Sequence, residues 1–375
     1  MEIPMFAQRA FLAVAAAAVL ALAPLSSVRA AEPADLSPRL APLLAGTDVP
    51  GLATLTIRDG VVAGQGVAGV RDLKSRVPAT TDDVWHLGSD GKAITATAIA
   101  RLVEQGVLSW ETPLEALLPE LAASMRPQYR QATLLDLLSH LSGLPDIIGL
   151  EETLAFYDDP RPVMEQRRAY AAVAVTQAPA VEPRTTQSYS NGGYILAAAA
   201  AERATGKSIE QLTAELVLQP LGMTTAAFGP TVAGQPLGHE DGRPLTGPRA
   251  DNPTVLAPAG ELHMSLQDWA RFVLDQMEGE DGRGRLLSVE SYRLLHTARD
   301  GKVAGLGWGT PAAFGGKPGR YLTHVGSNGY WHAVVVARLD NRSAILTVVN
   351  SGDGTQAETV NRAVLRALAG EVLGD

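Results

Sequence analysis

A serine and a lysine stand three residues apart in the stretch His86-Leu-Gly-Ser-Asp-Gly-Lys92, which runs into the nearly uncharged segment AITATAIARLVEQG. Positions i and i+3 share one helical face, so Ser89 and Lys92 can point into the same space. A hydroxyl beside an amine can be a nucleophile beside its base. The chain has five lysines, and this is its only Ser-x-x-Lys. The segment that follows is apolar nearly all round, the mark of a buried helix. Burying its first turn would desolvate Lys92 and bring its pKa toward the range where an amine accepts a proton. A plainer reading stands beside this one, with Ser89 as a helix N-cap and Lys92 snorkelling outward.

Tyr189-Ser-Asn191 is the sole Tyr-x-Asn and precedes the small-residue run YILAAAAAERATG. Tyrosine can relay a proton, and an asparagine amide can hold a substrate carbonyl or fix the lysine. A turn with a packed tyrosine is the alternative. Thr323-His324-Val325-Gly326-Ser327 closes a predicted strand. A glycine there lets substrate approach the sheet edge, and the next backbone N–H can serve an oxyanion hole.

These groups need elements to hold them. GLATLTIRDGVVAGQGVAGV (51–70) reads as two β-rich runs joined by Arg58-Asp59-Gly60, a hairpin signal. From Ile94 to about Met277 helical spacing dominates, and several of the helices stop at a glycine, as at Gly106 and Gly206. Strand periodicity returns in RYLTHVG, GYWHAVVVARLD and SAILTVVNS, and a last helix is predicted from about Gln356 to Leu368. The layout predicts an α+β fold: an antiparallel sheet from both chain termini, flanked by helices, with a large inserted mainly helical region. The α/β part would take about 31–90 and 290–375 of a single domain, and the helical part about 91–289. The Pro/Gly-rich stretch 228–258 predicts a long loop bordering the site.

Composition narrows the chemistry. Residues 1–30 hold a short basic edge, an apolar run and a small-x-small site at Val28-Arg29-Ala30, the pattern of a secretory signal cleaved after Ala30. That predicts a periplasmic or secreted protein with no stable membrane insertion, and no cysteine follows to carry a lipid. Residues 1–30 carry a net +1, so the chain goes from −9 to −10 without them, which argues against nucleic acid as a partner. Without cysteine, covalent catalysis must come from Ser, Thr, Lys or a carboxylate. The seven histidines are scattered without His-Glu-x-x-His, so no metal is expected. Leu87 breaks the Gly-x-Ser-x-Gly elbow of α/β-hydrolases around Ser89.

Taken in order, the three groups resemble the serine β-lactamase and penicillin-binding-protein superfamily. They are most similar to its class C β-lactamase-like branch, which also holds esterases, D-aminopeptidases and D-alanyl-D-alanine carboxypeptidases. LLDLLSHLSGLPD (134–146) and LAPAGELHMSLQDWARFV (256–273) extend the resemblance over most of the chain. It implies a Ser89 acyl-enzyme, Lys92 and Tyr189 as general base and acid, and Asn191 orienting substrate and lysine. It also implies an oxyanion hole from the Ser89 and Ser327 N–H groups and no cofactor. His324 stands where many relatives carry lysine, and a mostly neutral side chain there favours esters or amides over carboxylate-bearing penicillins and peptidoglycan peptides. Glu261 replaces the second glycine usual after Pro-Ala-Gly; at the cleft rim it would disfavour anionic substrates, and the preferred reading has it point to solvent. A non-catalytic binding module of the same fold is the alternative of another class.

Overall fold

Asp59 and Gly60 sit at φ 52° and 80°, the left-handed pair that a tight two-residue hairpin requires. They join the strands Gly51–Arg58 and Val61–Gly69 in a computed structural model that describes residues 32–232, 234–299 and 304–374. The expected signal and its cleavage after Ala30 lie outside the described residues. Gly51–Arg58 pairs antiparallel with Ser343–Val349, that strand with His332–Arg338, and that one with Tyr321–Ser327 at the edge. At the far edge Ala34–Asp35 joins Val61–Gly69 in parallel. The six-stranded sheet is therefore antiparallel apart from a two-residue piece, too short to leave a period in the sequence.

Successive strand residues face opposite sides. Val334, Val336 and Ile345 pack on Val360, Val364 and Leu368 of the terminal helix Gly354–Val372. Asp353 starts that helix by accepting the Gln356 N–H. Ala333, Val335 and Leu346 face the other way, onto Trp269, Phe272 and Val273 of helix Leu266–Gly279. A second core lies in the helical region, around the alanine-rich helix Asn191–Thr205. Gly193 lets that helix close on Leu137, whose carbonyl oxygen would lie 2.6 Å from any Cβ there.

Helix Gly91–Glu104 belongs to both cores. Ala93, Ile94 and Ala98 face the sheet side, and Ala96, Ile99 and Leu102 the helical side. Each buried isoleucine stabilises by about 1.5–3 kcal/mol, so the helix is anchored on both flanks. Its N-terminus opens where the two cores meet.

The layout departs from the sequence reading in detail. Leu262–Ser265, inside the region read as helical, pairs with Val84–His86 on one side and with Ala227–Phe228 on the other, as a small three-stranded sheet. The helix in TLLDLLSHLSG spans only Leu134–Leu138, and the chain turns at His140 with φ 61°. The 228–258 stretch contains a short hairpin, His239–Glu240 with Arg243–Pro244, and the 3₁₀ turns Pro248–Ala250 and Thr254–Leu256. Pro33–Asp375 forms one compact unit.

Candidate active site

The strand Val84–His86 leads through the 3₁₀ turn Gly88–Asp90 into helix Gly91–Glu104. The turn needs a left-handed residue, supplied by Gly88 at φ 52°. Ser89 is half-buried at its apex. Its Oγ accepts hydrogen bonds from Lys92 Nζ at 3.1 Å and from Tyr189 OH at 2.7 Å.

Lys92 is 0% exposed. Besides Ser89, its Nζ donates to Asn191 Oδ1 and to the Ala259 carbonyl, both at 2.6 Å. All three partners are uncharged oxygens. Burial therefore pushes the pKa of Lys92 down to about 7, against smaller opposing pulls from Asp146 and Asp90. In the neutral amine, the two carbonyl oxygens take the two N–H bonds and the lone pair points at Ser89. Desolvation pushes the Tyr189 phenol the other way, well above its usual range. The amine is thus the group that can accept a proton at neutral pH, and the phenol the one that can donate.

Asn191 opens its helix, and its amide Nδ2 donates to Asp146 Oδ1 at 2.8 Å, which turns its oxygen toward Lys92. The edge strand Tyr321–Ser327 passes beside the Ser89 turn. A Cβ at Gly326 would lie 2.0 Å from the Leu87 carbonyl oxygen and 2.3 Å from Asp90 Oδ2. Gly326 thus makes room for the Ser89 turn, where the sequence reading had it making room for substrate. A Cβ at Gly88 would lie 2.4 Å from the Ser327 nitrogen, so the Ser89 and Ser327 segments touch backbone to backbone. His324 Nδ1 meets the Val325 carbonyl at 3.0 Å. Desolvation first, then the charge of Lys92, pushes the His324 pKa well down.

A cleft of about 280 Å³ opens here, lined by His140, Tyr189, Trp308, Thr323, His324 and Val325 among others. The structure brings together Ser89, Lys92, Tyr189 and Asn191, with His324, Gly326 and Ser327 on the strand beside them.

Sequence reasoning missed several contributors. His140 lies ring to ring with Tyr189, centroids 4.6 Å apart, and its Nδ1 accepts the Ser190 N–H at 3.1 Å. Burial and Lys92 push its pKa down to about 3. It sits in the LLSHLSGLPD segment, so its place near the site was available, but its left-handed backbone was not. Asp90 is buried with neither carboxyl oxygen hydrogen-bonded. Burial raises its pKa well above the ordinary carboxylate value, opposed by Lys92. Glu261 corrects the solvent-facing expectation. It is 1% exposed, its Oε1 has no partner, and burial, then Asp251, raises its pKa far above the usual range.

Comparison with known proteins supplies relatives of the whole domain. Penicillin-binding protein 4 of Amycolatopsis lactamdurans is 29% identical over 351 residues, 87% of this chain and 86% of that one. A D-aminopeptidase of Brucella anthropi is 30% identical over 314 residues, 81% of this chain and 57% of that one. The chain spans 57% to 63% of the length of several curated relatives it matches. The crystal structure of D-amino acid amidase from Ochrobactrum anthropi SV3 shares the fold, with a TM-score of 0.71 and 22% identity over 89% of this chain and 97% of that one. The Beta-lactamase family model matches residues 36–369, and the chain belongs to that family.

Proposed function

We propose that the protein hydrolyses an ester or amide through an acyl-enzyme on Ser89. The observation that carries this is Lys92, wholly buried among uncharged oxygens with its nitrogen 3.1 Å from Ser89 Oγ. Neutral Lys92 takes the Ser89 hydroxyl proton as Oγ bonds to the substrate carbonyl carbon. Tyr189 gives its proton to the leaving alcohol or amine and is reprotonated from the Lys92 ammonium. Water then attacks the acyl carbon of the Ser89 ester, its proton passes through the same pair to Ser89 Oγ as the C–Oγ bond breaks, and the acid is released. The backbone N–H groups of Ser89 and Ser327 hold the oxyanion, each worth about 2.7–4 kcal/mol in the transition state.

The cleft supports an uncharged, partly apolar acyl group. Its histidines are held neutral, and Trp308 and Val325 line it. A second reading, an amide with a free amine, is favoured by Asp146, an exposed carboxylate bonded to Asn191. The substrate is a small molecule or peptide, and export after removal of residues 1–30 belongs to the same proposal.

Intact mass after mixing with a p-nitrophenyl ester or a penicillin, with Ser89→Ala alongside, tests the reading. A Ser89-dependent acyl adduct with the ester, and little with penicillin, is expected. Durable penicillin acylation would point to a D-alanyl-D-alanine carboxypeptidase, and rapid penicillin turnover to a β-lactamase. No adduct and no turnover would leave a binding module. Comparing an amino-acid amide with its N-acetyl form decides the free-amine reading.

A further inference from the structure

Behind the nucleophile lies a chain of buried polar groups that the acyl transfer itself does not use. His86 is 1% and Asp251 0% exposed. The Gly88 N–H donates to His86 Nδ1 at 3.0 Å, so the ring proton sits on Nε2, which donates to Asp251 Oδ2 at 2.8 Å. Asp251 Oδ1 accepts from Asn328 Nδ2 at 2.8 Å and from the Asn252 N–H at 2.7 Å. Asn252 Nδ2 donates in turn to the Gly260 carbonyl at 3.1 Å. Gly260 packs against the nucleophile turn, with any Cβ there 3.3 Å from the Ser89 nitrogen.

The two ends of this chain matter. Gly88 immediately precedes Ser89, and Asn328 immediately follows Ser327. A buried carboxylate is tolerated only when its oxygens are hydrogen-bonded, and here the bonds come from both flanks of the oxyanion site. We propose that His86, Asp251 and Asn328 are positioning residues that set the spacing between the Ser89 and Ser327 N–H groups. Through Asp251, the 228–258 stretch governs transition-state stabilisation without touching substrate. The inference rests on the acyl-enzyme reading. Oxyanion donors act only when held about 2.7–3.1 Å from the developing charge, and a displacement of about 1 Å can cost about 100-fold.

Two variants cut the chain at different points. Asp251→Asn turns one oxygen into a donor, which then faces either the Nε2–H of His86 or the amide N–H of Asn328. If His86 moves its proton to Nδ1, that proton meets the Gly88 N–H instead. Asn328→Ala cuts the other end at a half-buried position and keeps the test open if Asp251→Asn fails to fold. In the mature protein the measurements are kcat and KM for p-nitrophenyl acetate and their pH profile. The rate of Ser89 modification by a p-nitrophenyl alkylphosphonate and Tm complete the set.

Each variant is expected to lower kcat and the phosphonylation rate about 10- to 100-fold. KM should stay within about threefold, with the acid limb of the profile unmoved. The double variant should fall little below the worse single one, because the groups act as one unit. A Tm loss with kcat within about twofold of wild type would make the chain a structural brace only and overturn the inference. So would a shifted acid limb at unchanged plateau, which would place the effect on Lys92. Wild-type protein that gains no adduct on Ser89 sinks the acyl-enzyme reading instead, a separate result.

Discussion

Arg167 and Lys92 are both 0% exposed, yet the protein surrounds them differently. Arg167 Nε donates to Glu202 Oε1 at 2.8 Å, and its Nη1 and Nη2 reach both oxygens of Glu210 at 2.9 and 2.8 Å. Burial works against its charge, but Glu210 and Glu202 more than compensate, and its pKa ends above the ordinary value. Lys92 receives three oxygens and no carboxylate contact, and its pKa falls to about 7. Burial alone does not fix the charge of a buried cation; the chemistry of the partners does. One region uses a cation to tie helices Val163–Ala174 and Asn191–Thr205 to the Ile209–Thr213 turn. The other keeps an amine that can lose its proton.

Replacing each cation by methionine should separate the two uses. Lys92→Met removes the proposed proton acceptor and should lower kcat about 10²–10⁴-fold. Stability should hold or rise, since a well-packed apolar side chain often outperforms a buried charge. Steady-state kinetics with a thermal melt checks both, and near-normal turnover would remove Lys92 from its role as base. Arg167→Met should do the reverse. It strands Glu202 in the core and should cost about 3–5 kcal/mol by denaturant unfolding, while the folded fraction keeps its turnover.

The comparison sharpens with pH. In the proposed mechanism the active form needs neutral Lys92, so kcat/KM should rise about tenfold per unit below about 7 and flatten above it. Stability carries the same signature. Between about pH 7 and 10.5, the unfolded lysine holds a proton that the folded one lacks, so Lys92's contribution to stability rises with pH there. Below about 7 both states are charged and the folded protein bears the full burial penalty. The Tm advantage of Lys92→Met over wild type should therefore be greatest below pH 7 and shrink as pH climbs toward 10.5. An advantage that stays flat over that range would mean that folding leaves the amine's affinity for protons unchanged.

What the sequence makes legible follows from the same physics. Ser89 and Lys92 lie three residues apart, and Tyr189 and Asn191 two apart, so each pair is visible as a local motif. Burial of helix Gly91–Glu104 is visible too, because its composition is apolar nearly all round. Arg167 draws its partner Glu202 from 35 residues away, and His86 meets Asp251 across 165. No local pattern marks such pairs. Glu261 was misjudged because a carboxylate is ordinarily solvated. Only the packing of its Ala257–Gly260 and Leu262–Ser265 flanks against the Val84–Ser89 segment takes it inside. The two-residue parallel strand at Ala34–Asp35 escaped for want of length.

The smallest expected effect tests the other end of the rule. Arg362 and Glu358 lie four apart on the terminal helix, with Arg362 Nε 2.8 Å from Glu358 Oε1 and side chains 63% and 50% exposed. Their contact resembles the Arg167 pairs in distance but not in surroundings. Water solvates both charges whether or not they meet, and ordering two long side chains offsets most of the attraction. Glu358→Ala should therefore change stability by no more than about 0.5 kcal/mol, with the difference shrinking further in 1 M salt, where the screening length is about 3 Å. Denaturant unfolding of wild type and variant at low and high salt measures it. A loss of several kcal/mol, or one indifferent to salt, would mean that short distance alone makes a strong pair, and the contrast between Arg167 and Lys92 would need another cause than the partners each is given inside the protein.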